Sequence, residues 1–306
     1  MIAEKPTLED EMPATAQAVA VTFAGGTTVQ TPASVVTRIR PAQGWQWINF
    51  GELWQFRELV YFLTWRDVKV RYKQTLLGAA WAILQPLMMM VVFTIFFGRM
   101  AGVSSGDLPY PLFAYAGLLP WTFFATAIAA AGNSVVGSER MITKIYFPRL
   151  AVPFAAVGAA VVDFLIAFGL LIGMMVYYRI APGWGLLLVP AIFGAILLAA
   201  LGVGTLLAAL NVAYRDFRYV IPFMVQIWMF ATPTVYMQPK TAPAGSVQLL
   251  LALNPMTSLI TAFRASALGG TIPWNALGLA AAAVALAFFL CCLYFRKVED
   301  GFADII

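Results

Sequence analysis

Residues 66–86 read RDVKVRYKQTLLGAAWAILQP, and this stretch decides the fold. Five charged residues between Arg66 and Lys73 alternate with apolar ones, and no further charge follows until Arg99. Basic side chains near anionic lipid headgroups each contribute about 1 kcal/mol of attraction. The uncharged run behind them is long enough to cross a bilayer. The stretch therefore predicts a junction between a basic segment at a membrane surface and a first membrane-spanning helix.

The composition of the whole chain supports a membrane protein. Of 306 residues, 61% are apolar and 11% are charged, and the mean hydropathy is +0.82. Soluble domains usually have about 25% charged residues. The chain contains no histidine, so imidazole metal sites and histidine acid–base catalysis are excluded. We predict no catalytic residue and no metal site, and nothing indicates nucleic-acid binding.

Six segments meet the length that a spanning helix requires, which is about 20 mostly apolar residues. They lie at about residues 76–97, 112–136, 150–178, 186–210, 219–237 and 274–295. The connection 238–273 contains two apolar pieces, each too short to cross, on either side of Asn254 and Pro255. The lipid interior offers no hydrogen-bond partner to exposed backbone groups, so these two short pieces predict a re-entrant helical hairpin. The predicted fold class is all-α integral membrane.

The first fifty residues are rich in Ala, Thr, Pro and Gly, and we interpret them as a mobile cytoplasmic tail before a transmembrane domain over 51–306. Residues 52–73 show apolar positions at spacings of three and four, which predicts an amphipathic helix in the membrane interface. The alternation in DVKVRYK also fits a strand, and both alternatives remain open at this stage.

The basic residues predict the orientation of the chain in the membrane. With the N-terminus in the cytoplasm, only Arg99, Arg179, Lys240 and Arg264, of 19 Lys and Arg residues, lie on the outer side. Both termini are therefore predicted to be cytoplasmic.

Four segments of the chain resemble one family. They are RDVKVRYKQTLLGAAWAILQPL at 66–87, YRDFRYVIPFMVQIWMFATPTVY at 214–236, NPMTSLITAFR at 254–264 and FRKVEDGFADII at 295–306. In this order they are similar to segments of the ABC-2 type permeases that export bacterial cell-surface polysaccharides and polyol phosphates. The resemblance covers the chain from about residue 52 to its end.

The resemblance implies a homodimer of six-helix chains that binds two copies of a separate nucleotide-binding ATPase subunit. Such a complex moves a lipid-linked glycan, commonly on undecaprenyl diphosphate, across the bacterial inner membrane. The sequence has no GxxxxGK[ST] loop, so we expect ATP and Mg²⁺ to bind the partner subunit and this chain to bind no cofactor. Alternatives are export of a teichoic acid-like polymer or of a small hydrophobic compound, and a secondary carrier.

The loop 137–150, GSERMITKIYFPRL, matches the position where the family has its coupling helix. Exposed apolar residues in so short a loop favour docking to a partner over a plain basic loop between helices. The predicted docking residues are Glu139, Arg140, Met141, Ile142, Lys144, Ile145, Tyr146, Phe147 and Arg149.

Two further sets of residues are candidates for contact with the substrate. Arg66, Lys69, Arg71 and Lys73 are predicted either to capture a lipid diphosphate or to attract headgroups in general. Aromatic residues are predicted either to line a translocation path or to be interface aromatics, and they are Trp81, Phe93, Phe97, Trp121, Phe124, Trp228 and Tyr236. Gln85 and Gln226 are predicted to line the same path and to face the interior of the bundle. Asp163, midway through the third span, is expected to face the path or to pair with a group on a neighbouring helix.

Overall fold

A computed structural model describes residues 20–22, 28–30, 50–73, 78, 80–102, 106, 108–181, 183–234 and 253–302. The chain divides into two units, Met1–Gly44 and Trp45–Ile306. In the first unit, strands β1 (Ala20–Thr22) and β2 (Thr28–Gln30) pair antiparallel, with Val21 opposite Val29. The first unit therefore contains a short hairpin, which the sequence did not predict.

The described part of the second unit is helical. Its helices are α1 (Phe50–Gln55), α2 (Arg57–Lys73), α3 (Ala80–Phe93, continued as a π-helix over Thr94–Met100), α4 (Tyr110–Gly137), α5 (Glu139–Ile142), α6 (Ala151–Tyr177), α7 (Val189–Ala213, preceded by a 3-10 turn over Trp184–Leu188), α8 (Phe217–Phe230), α9 (Pro255–Leu268) and α10 (Trp274–Val298, followed by a 3-10 turn over Glu299–Gly301).

Within the described residues, five helices are long and apolar enough to span a membrane: Ala80–Met100, Tyr110–Gly137, Ala151–Tyr177, Trp184–Ala213 and Trp274–Val298. They correspond to five of the six predicted spans. The remaining prediction, 219–237, overlaps α8, which has 14 residues and is about 21 Å long. Residues 235–237 lie outside the described part, so the sixth span stays a prediction. The same holds for the re-entrant hairpin, of which only the second limb, α9, is described.

Helix α4 is the centre of the bundle. In its most apolar stretch 78% of the residues are buried, against 6% for the first span over Ala80–Met100. It packs against α6 and α7, and small residues allow close approach: a Cβ at Gly204 would lie 2.7 Å from the Ala131 side chain. Most residues of the first span are therefore not buried within the single chain.

The segment that fits both helix and strand is a helix. Residues 52–73 form α1 and α2 with a break at Phe56, and α2 buries Leu63 and Val68. Helix α2 runs alongside α6 for about two turns, from Thr64, whose hydroxyl donates to the Ala155 carbonyl at 3.3 Å, to Arg71 and Tyr72, which bind Asp163. Its predicted place in the membrane interface remains a prediction.

Candidate functional site

Asp163 binds two side chains at the C-terminal end of α2. The Arg71 guanidinium donates to Oδ2 and forms an ion pair with the carboxylate, and the Tyr72 hydroxyl donates to Oδ1. Burial, together with the hydrogen bond to Asp163, raises the pKa of Tyr72 above its ordinary value, so the phenol remains a donor. Of the two alternatives for Asp163, the structure shows the pair with groups on a neighbouring helix, and the sequence did not identify these partners.

This cluster forms one wall of a cavity of about 440 Å³ between α2, α3, α4 and α6. The polar wall residues besides the cluster are Gln85, Thr122 and Thr126. Apolar residues complete the described lining, and they are Gly78, Trp81, Ala82, Pro86, Leu119, Phe123, Ala160, Phe164 and Ala167. The Arg71 and Asp163 side chains are 32% and 22% exposed, so the ion pair faces this space rather than closed packing.

The four predicted diphosphate-binding residues have different surroundings. Arg66 pairs with its neighbour Asp67 at 2.9 Å, and the Lys69 ammonium lies 5.4 Å from the centre of the Trp65 ring. Lys73 is exposed, and Arg71 is held by Asp163. Only Arg71 of the four lines the cavity, with its charge already balanced by a carboxylate. Their role in substrate capture remains a prediction.

The residues predicted to line a path separate into two groups. Trp81 and Gln85 line the cavity, whereas Trp121 and Phe124 are buried. These two pack with Trp228, the ring centres lying 6.4 and 5.1 Å from that indole. Trp121, Phe124 and Trp228 therefore form an aromatic contact inside the single chain. Of the other predicted residues, Phe93 packs on Phe97 at 5.6 Å, Gln226 is exposed and Tyr236 lies outside the described residues.

The predicted docking loop presents two apolar side chains. Helix α5 begins directly after α4, and Ile142 and Phe147 are buried against the ends of α7 and α10, in a cluster that includes Val212 and Phe295. They anchor the loop. Ile145 and Tyr146 are 61% and 74% exposed. Of the remaining predicted residues, Glu139, Arg140 and Lys144 are exposed, and Met141 and Arg149 are partly buried. The exposed contact surface is therefore narrower than the sequence suggested.

A second polar cluster, around Arg264 and Asn254, was not predicted. The Arg264 guanidinium is buried, lies 3.9 Å from the Phe113 ring centre and donates to the carbonyl of Thr234. Asn254 caps α9 by accepting from the Met256 amide at 3.1 Å, and its amide donates to the Thr232 hydroxyl at 2.9 Å. The pair Asn-Pro is an N-cap signal that could have located the start of α9. Nothing in the sequence distinguished Arg264 from a surface charge.

The five long apolar helices make the chain a multi-pass helical membrane protein. Residues 58–268 match the ABC-2 type transporter family. The chain belongs to this family, which confirms the resemblance seen in the four segments.

Several characterised proteins are similar to the chain. The O-antigen export system permease protein RfbA of Myxococcus xanthus is 32% identical over 70% of this chain and 82% of its own length. The protein of the same name from Klebsiella pneumoniae is 24% identical over 84% of this chain and 97% of its own length. The polysialic acid transport protein KpsM of Escherichia coli is 21% identical over 68% of this chain and 80% of its own length.

Proposed function

We propose that this chain is the membrane permease of an ATP-driven exporter that moves a lipid-linked polysaccharide, such as an O-antigen, across the bacterial inner membrane. The observation that carries the proposal is the similarity to O-antigen export permeases over 70–84% of the chain. The similarity to a polysialic acid transport protein supports a polysaccharide as the substrate class. We expect undecaprenyl diphosphate as the lipid carrier and both termini in the cytoplasm.

A homodimer is supported by two helices with large apolar surfaces. The first span over Ala80–Met100 has only 6% of its most apolar stretch buried. Helix α8 exposes Phe223, Ile227 and Phe230 along one face. A second copy packed on these helices would cover surfaces that the single chain leaves open. The substrate path would then lie between the two protomers.

The separate ATPase subunit is proposed to dock on Ile145 and Tyr146. Both are exposed beside charged residues of the same loop, while Ile142 and Phe147 fix the loop to the ends of α7 and α10. Large side chains that fill a pocket of the partner typically dominate the binding energy of an interface. Movement of the docked subunit would thus reach the bundle through this anchored loop.

Charging the exposed pair tests this docking surface. We expect Ile145→Glu and Tyr146→Glu, together, to remove the ATPase subunit from the detergent-purified complex, because each carboxylate would be desolvated against an apolar pocket. The measurement is the ratio of ATPase to permease after affinity purification. The matched control is Tyr214→Glu, at an exposed tyrosine in the loop between α7 and α8, which should retain the subunit. Equal recovery from the double variant, the control and the unaltered chain would contradict the assignment.

The function itself is tested by deleting the gene in the native bacterium. We expect loss of a surface polysaccharide and accumulation of its lipid-linked form inside the cell, both reversed by the tagged chain. Mass spectrometry of the purified complex should show a stoichiometric subunit with a GxxxxGK[ST] loop. An unchanged cell surface would overturn the polysaccharide assignment, and recovery of the chain without any ATPase would favour a secondary carrier.

A further inference from the structure

We propose that the cavity between α2, α3, α4 and α6 binds one uncharged sugar ring of the exported polymer. The inference rests on the proposed function, and it names a sugar site in each protomer, walled by the first span that would also border the path between the protomers. Three properties of the cavity carry it: its charge balance, its lining and its size.

The charge balance disfavours a phosphate ligand. Arg71 is the basic residue of the lining, and its guanidinium is paired with Asp163. Each carboxylate oxygen of Asp163 already accepts a hydrogen bond, one from Arg71 and one from Tyr72. A diphosphate would place further negative charge beside Asp163, whose carboxylate already balances the charge of Arg71. Like charges at close range in a low-dielectric site repel strongly. The wall is therefore suited to an uncharged polar ligand.

The lining supplies both kinds of contact that a sugar ring requires. Thr126 and Gln85 are exposed side chains that can donate and accept hydrogen bonds. The Thr122 hydroxyl donates to the Leu119 carbonyl at 3.0 Å, which leaves its lone pairs available to a ligand hydroxyl. Trp81 lines the cavity and is 47% exposed, and an aromatic ring there can contact the C–H groups of a sugar. A polyprenyl tail would use the apolar walls but none of these polar groups.

The cavity is large enough for a sugar ring and lies midway along a spanning helix. About 440 Å³ lies at the lower part of the range for small-molecule pockets, roughly 300–1,000 Å³. Asp163 is twelve residues into α6, which places the cluster about 18 Å along this spanning helix. A sugar held here would lie far from either end of the span. The site therefore lies beside the middle of a spanning helix, at the C-terminal end of α2.

The first experiment places a photoreactive residue in the cavity of the complete complex in living cells. Thr126→p-benzoylphenylalanine should, on irradiation, give an adduct that carries periodate-stained glycan. The control is the same substitution at Leu165, which lies on α6, is 59% exposed and is not part of the cavity lining. That position should give lipid adducts only. Irradiation in a strain that cannot make the polymer should remove the glycan adduct at 126.

The second experiment removes the stacking surface. Aromatic contacts contribute modestly, so Trp81→Leu should lower both glycan adduct yield and surface polymer roughly three- to tenfold. Trp65→Leu is the matched control, because Trp65 is 48% exposed on α2 and is not part of the cavity lining. It should change both quantities less than about twofold. Co-purification of the ATPase subunit should be the same in both variants, which excludes misfolding as the cause.

The outcomes separate this inference from the proposed function. In one outcome the chain restores the surface polymer while position 126 gives only phospholipid or polyprenyl adducts, or no adduct. That result would overturn the sugar site and leave the exporter assignment intact. A polyprenyl diphosphate without sugar at position 126 would identify a site for the lipid carrier instead. If the surface polysaccharide is the same with and without the gene, both proposals are overturned.

Discussion

Reversing the charges of Arg71 and Asp163 together should restore much of the stability and export that either single reversal removes. In the single variant Asp163→Arg two cations face each other, and in Arg71→Asp two carboxylates do. The pair is only partly buried, so the loss of one partner costs less than the roughly 1–3 kcal/mol of a fully buried group, and like-charge repulsion adds to this cost. The double variant regains an ion pair of the same two groups, although Tyr72 loses its acceptor.

The same helix provides the control for this prediction. Arg66 and Asp67 also form an ion pair, at 2.9 Å, but both are adjacent in α2 and Arg66 is about half exposed. Exposed pairs contribute only about 0–1 kcal/mol. Arg66→Asp should therefore shift the melting temperature of the purified protein far less than Arg71→Asp does. Equal shifts for these two variants, or a double reversal no better than the single ones, would contradict a coupled pair at 71 and 163.

The spanning helices could be predicted because the bilayer fixes their length. An uncharged apolar run of about 20 residues is typical of a membrane-spanning helix, and five of the predicted runs are helices in the structure. The segment DVKVRYK was different, since seven residues fit a period of two and a helix equally well. In the structure it is the C-terminal part of α2, and Arg71 and Tyr72 within it bind Asp163 of α6. Those contacts are invisible in the local sequence.

The partners of polar groups could not be predicted for the same reason. Asp163 was expected to face the path or to pair with a neighbouring helix, and its partners Arg71 and Tyr72 lie more than 90 residues away in the chain. The aromatic residues show a related limit. Trp81 and Trp121 look alike in sequence, yet one lines a cavity and the other is buried, because α4 is central and the first span is peripheral. Only the packing order of the helices distinguishes them.

The second large effect is expected at Gly117 in α4. Here the Arg264 guanidinium and the Thr234 carbonyl approach the α4 backbone so closely that an added Cβ would overlap both. Arg264 in turn joins three elements, because it donates to Thr234 after α8, belongs to α9 and lies 3.9 Å from the Phe113 ring centre in α4. Because Gly117 has no side chain, the buried Arg264 guanidinium has room to connect the end of α8 to α4 and α9.

Gly117→Ala should therefore destabilise the protein strongly, although alanine is the better helix former. Overpacking costs about 1–3 kcal/mol, and displacing Arg264 from its carbonyl adds a comparable penalty for a buried charge. The control is Gly173→Ala in α6, where nothing lies within 4 Å of the added Cβ. That change should leave stability unchanged or raise it by up to about 1 kcal/mol. The melting temperatures of the two purified variants, measured beside the unaltered chain, should move in opposite directions or differ by many degrees. If Gly117→Ala is as stable as Gly173→Ala, Arg264 does not hold the end of α8 against α4 in the purified protein.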